Sequence, residues 1–436
     1  MPRVALHTLG CKLNYAETSA IGKQFLDRGY EIVELDEPAD VCVINTCSVT
    51  ARANRECRQI IRRALRTATD PVVVVTGCYA QLEPEEVASI DGVDLVLGSR
   101  EKNKIFEHVG TFQKVPAPRV FVSEISRADD FGAAWSTEAG SRTRAYLKVQ
   151  DGCDYNCSFC TIPLARGKSR SLPVDAALAQ AEDLVRQGFR EIVLTGVNVG
   201  DYGQKSGNRL LDLLQVLSEV TGLARLRISS IEPNLLTDEI LQFVAAHRVM
   251  CKHFHLPLQS GSDNVLRAMR RRYTTVQYAS LVRKVRGLIP DCGIGVDVIV
   301  GFPGETDDQF EETYRFLNEL PVSYLHVFTY SERPNTPAAT YAHPVPSAKR
   351  SKRSEMLRVL SVKKREAFYR TMVGRKVTVL TETEVEADRR FGFTDNYVKV
   401  SVPADGVQDN VLLETIVDGV EFGCCIGARV DEGGKL

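Results

Sequence analysis

Three closely spaced cysteines constrain this chain more than any other feature of its sequence. Cys153, Cys157 and Cys160 follow the spacing C-x3-C-x2-C, and polar residues such as Asp154 and Asn156 separate them. Polar side chains favour solvent, so this loop does not fit three inert cysteines in a hydrophobic core. The spacing instead indicates three thiolate ligands of one metal group, and we call these cysteines the loop triad.

Two kinds of metal group use cysteines at such short spacing. A structural zinc site normally takes four protein ligands, and the nearest downstream candidates, His247 and Cys251, fall in other predicted elements. Iron–sulfur clusters are also held by closely spaced cysteines. Three ligands on a four-iron cluster would leave one iron free to bind a small molecule, and we favour this interpretation. A zinc loop and three reduced free thiols are the alternatives.

Length and composition indicate a soluble protein of several domains. The 436 residues exceed one ordinary hydrophobic core, and 44% hydrophobic with 25% charged residues is typical of globular proteins. The chain shows neither a signal-peptide pattern nor an apolar run of membrane-spanning length, which predicts a cytoplasmic protein without a membrane partner. In that compartment the twelve cysteines favour metal or redox ligands over disulfides. The net charge of −1 gives no overall preference for nucleic acid.

The N-terminal part of the chain, residues 1–112, repeats one pattern three times. An apolar run ends close to a cysteine, Cys11, Cys47 or Cys78, and a helical segment follows. Alternating strands and helices predict an open parallel α/β domain. Ligands collect just beyond the carboxyl ends of such strands. The three cysteines, which we call the strand-end triad, are therefore predicted to point into one crevice and to form a second site.

The alternative for the strand-end triad is that each cysteine is a small buried side chain at the end of a strand. The polar or glycine neighbours of all three argue against it. Two other cysteines receive the opposite interpretation. Cys42, inside an apolar strand, and Cys57, inside a helical segment, are predicted to be core residues.

Apolar strands and helical stretches alternate through residues 141–370, after a linker predicted for the aperiodic residues 113–140. Six predicted strands with helical crossovers indicate a parallel sheet curved into a partial (β/α)6 barrel. The chemistry of such barrels lies at the carboxyl ends of the strands. The loop triad follows the first strand, and Gly196, Asn198 and Gln259 follow the second and fourth. These three residues are candidate ligand contacts, with ordinary turn chemistry as the alternative.

One strand of this part carries two histidines at alternate positions. His253 and His255 would share a face of the strand, as the ligands of a metal site would. We favour the simpler interpretation that each histidine finds a hydrogen-bond partner.

The local net charge and the pattern of apolar and polar residues both change toward the C-terminus. Residues 346–370 hold nine basic and two acidic side chains in a predicted helix, a local net charge of +7 that suits a solvated surface or contact with phosphates. Residues 371–436 contain short segments in which apolar and polar side chains alternate. This pattern predicts a small β-barrel like those that bind nucleic acids. Seven basic and twelve acidic residues give this barrel a net charge of −5, which weakens a phosphate-binding role. Stacking on RNA bases is open to three aromatic residues, Phe391, Phe393 and Tyr397.

The two cysteine triads and their surroundings resemble the methylthiotransferases of the radical S-adenosylmethionine (SAM) superfamily. The residues before the loop triad, Gln150-Asp151-Gly152, and the run 162–167 after it are similar to the cluster motif of that family. The three motifs around the strand-end triad match the N-terminal domain of the family in order. Residues 371–436 resemble its TRAM domain, so the resemblance covers nearly the full chain.

The resemblance implies two [4Fe-4S] clusters and SAM as cofactors. The loop triad would hold the cluster that binds SAM, and the strand-end triad would hold an auxiliary cluster. Phe159, the aromatic residue before the last loop cysteine, would pack near the adenine of SAM. Gly196, Asn198 and Gln259 would line the SAM site.

The resemblance further implies an enzyme that modifies tRNA. The motif Cys11-Lys12-Leu13-Asn14 is most similar to members that add a methylthio group to C2 of N6-threonylcarbamoyladenosine (t6A) at position 37, on the 3′ side of the anticodon. Members that act on isopentenyladenosine tend to have Gln-Met-Asn after this cysteine. We expect a monomer that binds the tRNA anticodon stem-loop, and the sequence names neither its electron donor nor its sulfur source. Isopentenyladenosine in tRNA and an aspartate of a ribosomal protein are alternative substrates, and a non-catalytic iron–sulfur RNA-binding protein is the alternative class.

Overall fold

The computed structural model describes residues 1–48, 50–67, 70–128, 130–132, 134–136 and 143–430. The side chains of residues 51, 52 and 67 fall outside this description. So do Val49 of the second N-terminal motif, parts of the predicted linker, residues 141–142 of the predicted central domain and residues 431–436 of the predicted C-terminal domain.

A six-stranded parallel sheet forms the N-terminal domain. Its strands are β1 (Arg3–Thr8), β2 (Glu31–Val33), β3 (Val41–Thr46), β4 (Val72–Gly77), β5 (Val93–Leu97) and β6 (Arg119–Phe121). They lie in the order β2-β1-β3-β4-β5-β6. The helices between them are α1 (Lys12–Leu26), α2 (Ala51–Thr67), α3 (Cys78–Leu82), α4 (Pro84–Ala88) and α5 (Ile105–His108). This is the predicted open α/β architecture.

Both faces of this sheet are covered, which explains its apolar central strands. Every residue of β3, β4 and β5 is buried, as expected for parallel strands packed on two sides. Val43 lies in the core that contains Phe25, and Ile44 lies in the opposite core together with Cys42 and Cys57. The prediction that these two cysteines are core residues is confirmed.

The segment predicted as a linker adds an edge strand to the sheet. Within residues 113–140, β6 pairs parallel with β5. Three residues are too few to produce a visible alternation of apolar and polar side chains, and Pro116 and Pro118 precede the strand. The strand β6 is recognised only from its pairing with β5, which comes earlier in the chain.

Six parallel strands form the central barrel, as predicted. The strands of this domain are β7 (Arg144–Lys148), β8 (Gln150–Asp151), β9 (Arg170–Ser171), β10 (Glu191–Thr195), β11 (Arg225–Ile228), β12 (His253–His255), β13 (Gly293–Val300) and β14 (Tyr324–Thr329). The barrel consists of two sheets, ordered β11-β10-β7 and β12-β13-β14, which parallel bridges such as Ser230 to His255 join. The short strands β8 and β9 pair with each other.

Helices cover the outside of the barrel, and polar side chains occupy its interior. The helices are α6 (Ile162–Arg166), α7 (Val174–Arg186), α8 (Leu210–Ser218), α9 (Asp238–Ala246), α10 (Asp263–Ala268), α11 (Thr275–Leu288), α12 (Asp307–Glu319) and α13 (Ser347–Arg370). Ala145 and Leu147 of β7 pack into the large core beneath them. Their neighbours Arg144, Tyr146 and Lys148 alternate to the other face. We call the interior of the barrel the lumen.

A closed five-stranded barrel forms the C-terminal domain, in the order β15-β16-β17-β19-β18. Its strands are β15 (Lys376–Glu386), β16 (Arg389–Phe393), β17 (Lys399–Pro403), β18 (Leu412–Glu421) and β19 (Cys424–Arg429). It packs against the amino ends of the central strands. Arg225 donates hydrogen bonds to the carbonyl oxygens of Phe393 (2.8 Å) and Thr378 (2.6 Å), and Arg227 donates to that of Asp395 (2.9 Å).

Replacing Arg225 by methionine should loosen this packing. The substitution removes two charge-assisted hydrogen bonds to carbonyl groups of the C-terminal barrel, so we expect a loss of about 2 to 3 kcal/mol in the free energy of unfolding. Urea denaturation measures that loss, and limited proteolysis should release the C-terminal barrel faster. Arg190→Met, at an exposed position near the same end of the central barrel, should leave both measurements unchanged. Equal proteolysis of the two variants would contradict the assigned contacts.

Among the described residues, no helix combines the length and apolar character needed to cross a membrane.

Candidate functional site

The strand-end triad lies at the carboxyl ends of three adjacent strands. Cys11 follows β1, Cys47 follows β3 directly, and Cys78 follows β4 directly. Cys11 is exposed, whereas Cys47 and Cys78 are buried. Burial raises the pKa of the Cys78 thiol, and the positive charges of Arg166 and Lys102 oppose that effect. The topology therefore brings all three thiols to one edge of the sheet, with access from the side of Cys11.

Two glycines allow the backbone to approach closely around these cysteines. Gly10 and Gly77 have φ angles of +102° and +97°, in the left-handed region that favours glycine. A Cβ atom on Gly10 would lie 3.0 Å from Cys47 Sγ. A Cβ atom on Gly77 would lie 2.4 Å from the carbonyl oxygen of Thr46. Larger residues at these positions would therefore push the cysteine loops apart.

Replacing Gly77 by alanine should be strongly destabilising. The new methyl group would collide with backbone atoms that cannot rotate away, and the positive φ adds strain, so we expect a loss of about 3 kcal/mol or more in the free energy of unfolding. Gly29→Ala is the matched control, because Gly29 also has a positive φ of +78° but has open space around it. Urea denaturation of both variants separates the collision from the strain. Similar losses in the two would show that packing at Gly77 does not matter.

Asn14 joins the loops that carry Cys11 and Cys47. Its Nδ2 donates to the carbonyl oxygens of Leu9 (2.7 Å) and Thr46 (3.1 Å). Asn45 Nδ2 in turn donates to the carbonyl oxygen of Asn14 (3.0 Å). These bonds are buried, so they hold the two loops at a fixed separation.

The loop triad follows β7 and β8 at the carboxyl end of the barrel. Cys153 N donates to the carbonyl oxygen of Gly167 (3.0 Å), which closes the loop. Arg271 Nη1 lies 3.0 Å from Cys157 Sγ and donates to it. Burial raises the pKa of Cys153 to about 11 and that of Cys160 to about 12. Both thiols are thus protonated near neutral pH, and a metal group must displace their protons on binding.

A fully buried group of charges connects the two triads. Glu17 of α1 accepts hydrogen bonds from Arg166 (2.9 Å), Lys102 (2.6 Å) and Lys148 (3.1 Å). Arg166, which ends α6 just after the loop triad, also donates to Asp151 (3.0 Å) and to Asn14 Oδ1 (2.7 Å). Glu17 and Arg166 are 0% and 1% exposed. The N-terminal domain and the barrel are therefore fixed to each other beside both cysteine loops.

A buried hydrogen bond also joins the loop that contains Cys47 to the carboxyl end of the barrel. Arg333, after β14, donates from Nη2 to Ser48 Oγ at 2.6 Å. Both residues are buried.

A cavity of about 190 Å³ lies beside the loop triad. Phe159, Cys160 and Gln259 line it together with Thr50 of the N-terminal domain and Tyr330 after β14. The structure thus brings two of the four predicted SAM contacts together with a loop cysteine. Residue 259 is a non-glycine residue with a positive φ of +73°, a strained conformation of the kind that concentrates at functional sites.

The other two predicted contacts, Gly196 and Asn198, lie beside Gln150 and are not among the residues that line this cavity. Asn198 N donates to Gln150 Oε1 (2.9 Å), and a Cβ atom on Gly196 would lie 2.9 Å from the same oxygen. Asn198 is buried, and its Nδ2 has no hydrogen-bond partner within the described ranges. A buried donor without a partner fits a position where a bound ligand supplies the acceptor.

The sequence pattern did not reveal Asp297 as a site residue. It lines the same cavity, and its Oδ1 lies 2.7 Å from His255 Nε2 and 3.2 Å from His326 Nδ1. Burial alone would raise the pKa of Asp297, but the two histidines lower it below its usual range. His253 Nε2 lies 2.8 Å from the Tyr324 hydroxyl oxygen. The prediction that both strand histidines find hydrogen-bond partners is confirmed.

The aromatic residues proposed for stacking on RNA mostly serve the chain's own interfaces. Phe393 lies under the Arg144 guanidinium (4.7 Å), and the Tyr397 ring centroid lies 4.8 Å from that of His253. These two rings therefore face the central barrel. Lys399 Nζ lies 4.0 Å from the centre of the Phe391 ring.

Part of the positive charge of α13 is neutralised within the chain. Arg353 pairs with Glu305 and Asp307, Lys349 also pairs with Asp307, and Arg350 and Arg370 have carboxylate partners. Four exposed basic residues of the helix have no ion pair to a described residue: Lys352, Arg358, Lys363 and Arg365. They form the part of α13 that is available to phosphates.

Two protein-family models match separate parts of the chain. Residues 147–317 match the model of the radical SAM superfamily, and residues 3–98 match one described as uncharacterized protein family UPF0004. The chain is 41% identical over 406 residues to the threonylcarbamoyladenosine tRNA methylthiotransferase MtaB of Bacillus subtilis, covering 92% of this chain and 90% of that protein. The protein of that name from Aquifex aeolicus is 38% identical, with coverage of 91% and 96%.

A more distant relative carries a different substrate in its name. The tRNA-2-methylthio-N(6)-dimethylallyladenosine synthase of Methylacidiphilum infernorum is 32% identical over 396 residues, covering 88% of this chain and 85% of that protein. Among solved structures, the radical SAM methyltransferase TsrM from Kitasatospora setae has the same fold, with a TM-score of 0.55 at 17% identity over 78% of this chain and 77% of that chain.

Proposed function

We propose that this chain, which belongs to the MtaB family of radical SAM methylthiotransferases, converts t6A at position 37 of tRNA into its 2-methylthio derivative. The observation that carries the proposal is one cavity that residues of both cysteine-bearing domains line. Cys160 of the loop triad and Thr50, three residues after Cys47, both line it. Relatives at 41% and 38% identity carry this substrate in their names, which supports the assignment.

Membership in the radical SAM superfamily implies one [4Fe-4S] cluster and SAM. We assign that cluster to Cys153, Cys157 and Cys160, and we assign an auxiliary [4Fe-4S] cluster to Cys11, Cys47 and Cys78. The residues present fit both groups. The donor sets are three thiols each, and glycines let the loops of the strand-end triad approach each other closely. The Nδ2 of Asn198, which has no partner among the described residues, can donate to a ligand.

These cofactors, once bound, supply chemistry that side chains lack: removal of hydrogen from an unactivated C–H bond and delivery of a methylthio group. The chain's own residues bind the cofactors and the substrate and orient them. Arg271 donates to Cys157 Sγ and pairs with Glu232, which fixes the loop around that cysteine. Phe159 and Gln259 line the cavity where SAM and the target base must meet.

The target base must leave the anticodon loop to reach this cavity, because a base stacked in RNA cannot enter it. We propose that the exposed cations of α13 contact the phosphates of the stem-loop. The division into residues 1–112, 113–140, 141–370 and 371–436 remains our proposal for the domains, with β6 assigned to the first sheet.

Anticodon stem-loops that carry t6A, isopentenyladenosine or unmodified adenosine at position 37 test the proposal. The chain is reconstituted anaerobically with iron and sulfide, then supplied with SAM and dithionite, and products are measured by mass spectrometry. We expect methylthiolation of the t6A stem-loop in preference to the others. Product only from isopentenyladenosine would reassign the substrate. SAM cleavage without any RNA product would direct the search to ribosomal proteins, and no 5′-deoxyadenosine at all would exclude an enzyme of this class.

A further inference from the structure

Lys12 connects the strand-end triad to the lumen. It follows Cys11 directly and begins α1. This helix lies along β7, where the Tyr15 and Tyr146 ring centroids are 6.5 Å apart. The charge of Lys12 interacts with Arg144, Arg227 and Glu191 on the central strands and with Tyr397 of the C-terminal barrel. Lys12 is therefore positioned where all three domains face the lumen.

Arg144 and Arg227 have carboxylate partners at ion-pair distance, whereas Lys12 has no such pair with a described residue. Arg144 pairs with Glu382 at 2.7 Å, and Arg227 pairs with Glu191 at 2.6 Å. In the part of the chain that the structure describes, the ammonium group of Lys12 makes neither a hydrogen bond nor an ion pair. Its side chain is exposed to solvent, and the protein that surrounds it lowers its pKa mainly through desolvation. The ammonium group of Lys12 therefore has no carboxylate at ion-pair distance among the described residues and is open to a ligand.

The residue that closes this region is held in a strained conformation. Tyr397 has a φ of +68°, which is uncommon for a bulky side chain. Its ring packs against His253 and Phe393, with centroid distances of 4.8 and 5.0 Å. The C-terminal barrel therefore forms the floor of the lumen at Tyr397.

We infer that Lys12 binds the threonyl carboxylate of t6A and thereby selects this nucleoside over one with an uncharged N6 group. The inference rests on the proposed function, because the carboxylate belongs to that substrate. In adenine, N1 is bonded to both C2 and C6, so the N6 substituent lies near the edge that carries C2. A base whose C2 faces the cysteine sites would present its threonyl group to the residue next to Cys11.

The physical basis of the selection is the cost of an unpaired charge. The acid form of the substrate gives Lys12 a charge-assisted hydrogen bond. An uncharged substituent in the same place leaves the ammonium partly desolvated without an anion, which costs binding energy. Selection would therefore come both from attraction to the carboxylate and from rejection of apolar groups.

Two stem-loops that differ in one charge test the inference. One carries t6A and the other its threonyl methyl ester, and fluorescence anisotropy measures their dissociation constants for the full chain with and without reconstituted clusters. Wild type should bind the acid about 10- to 100-fold more tightly than the ester. Lys12→Met should remove this difference, and Lys12→Arg should restore part of it. Lys23→Met, an exposed position on the same helix, should behave as wild type.

The outcomes separate this inference from the proposed function. If wild type methylthiolates t6A but binds acid and ester equally, or if Lys12→Met still prefers the acid, the inference is wrong and the proposed function stands. If wild type methylthiolates isopentenyladenosine instead of t6A, the proposed function itself fails. Circular dichroism and urea denaturation of Lys12→Met identify any loss of folding, in which case the comparison of acid and ester on wild type and Lys12→Arg decides.

Discussion

Replacing Arg166 by methionine should lower the free energy of unfolding by about 3 to 5 kcal/mol, the largest stability effect that we expect from a single charged side chain in this protein. Arg166 is 1% exposed and contacts Glu17, Asp151 and Asn14. Its removal leaves two buried carboxylates with fewer compensating charges. Arg186→Met, on an exposed part of α7, is the matched control and should change stability by less than about 1 kcal/mol.

The same group of charges predicts how stability depends on pH. Burial alone would raise the pKa of Glu17, but Arg166, Lys102 and Lys148 lower it well below its usual range. A carboxyl group with a lowered pKa stabilises the fold fully above its unfolded pKa of about 4.3, and this contribution decreases as the pH falls further. Urea denaturation between pH 7 and 3 should therefore show a smaller acid-induced loss for Glu17→Gln than for wild type. An unchanged slope would mean that Glu17 is not ionised in the folded protein.

Single alanine substitutions in the two triads should separate two functions of the enzyme. Reconstituted wild type should contain about eight irons per chain, and Cys153→Ala and Cys11→Ala should each contain about four. Cys153→Ala should reduce 5′-deoxyadenosine formation to the background level, because it removes a ligand from the cluster assigned to SAM. Cys11→Ala should still cleave SAM but should produce no methylthiolated RNA.

The control for these substitutions is Cys424→Ala. Cys424 is a buried cysteine of the C-terminal barrel and belongs to neither triad. It should keep about eight irons and wild-type product yields. Loss of SAM cleavage in Cys11→Ala would contradict the separation of roles, as would eight irons in Cys153→Ala.

Local sequence patterns were sufficient for the main architecture. The apolar run of residues 41–44 predicts a strand because polar residues bound it, and the cysteine that follows marks the strand end; the observed strand is Val41–Thr46. Strands of three residues, such as Glu31–Val33 and Arg119–Phe121, are too short to show the alternation of apolar and polar side chains that predicts a strand. Their place in the sheet depends on pairing with strands that are distant in sequence.

The supporting residues of the site could not be predicted for a related reason. Glu17 lies in a helix whose pattern resembles that of a surface helix, and its partners Lys102 and Arg166 lie 85 and 149 positions away. Arg271 is 114 positions from Cys157. No local spacing indicates such contacts, because the fold alone brings these residues together. The positions of the cysteines after strands could be predicted, because the apolar runs that precede them are visible in the local sequence.

Nucleoside mass spectrometry on tRNA from a strain that lacks this gene tests the central claim most directly. The claim is that this chain makes 2-methylthio-t6A and needs both triads to do so. We expect 2-methylthio-t6A to disappear from the deletion strain, to return with the wild-type gene, and to stay absent with Cys11→Ala or Cys153→Ala. Unchanged modified adenosines in the deletion strain, or restoration by either variant, would contradict it.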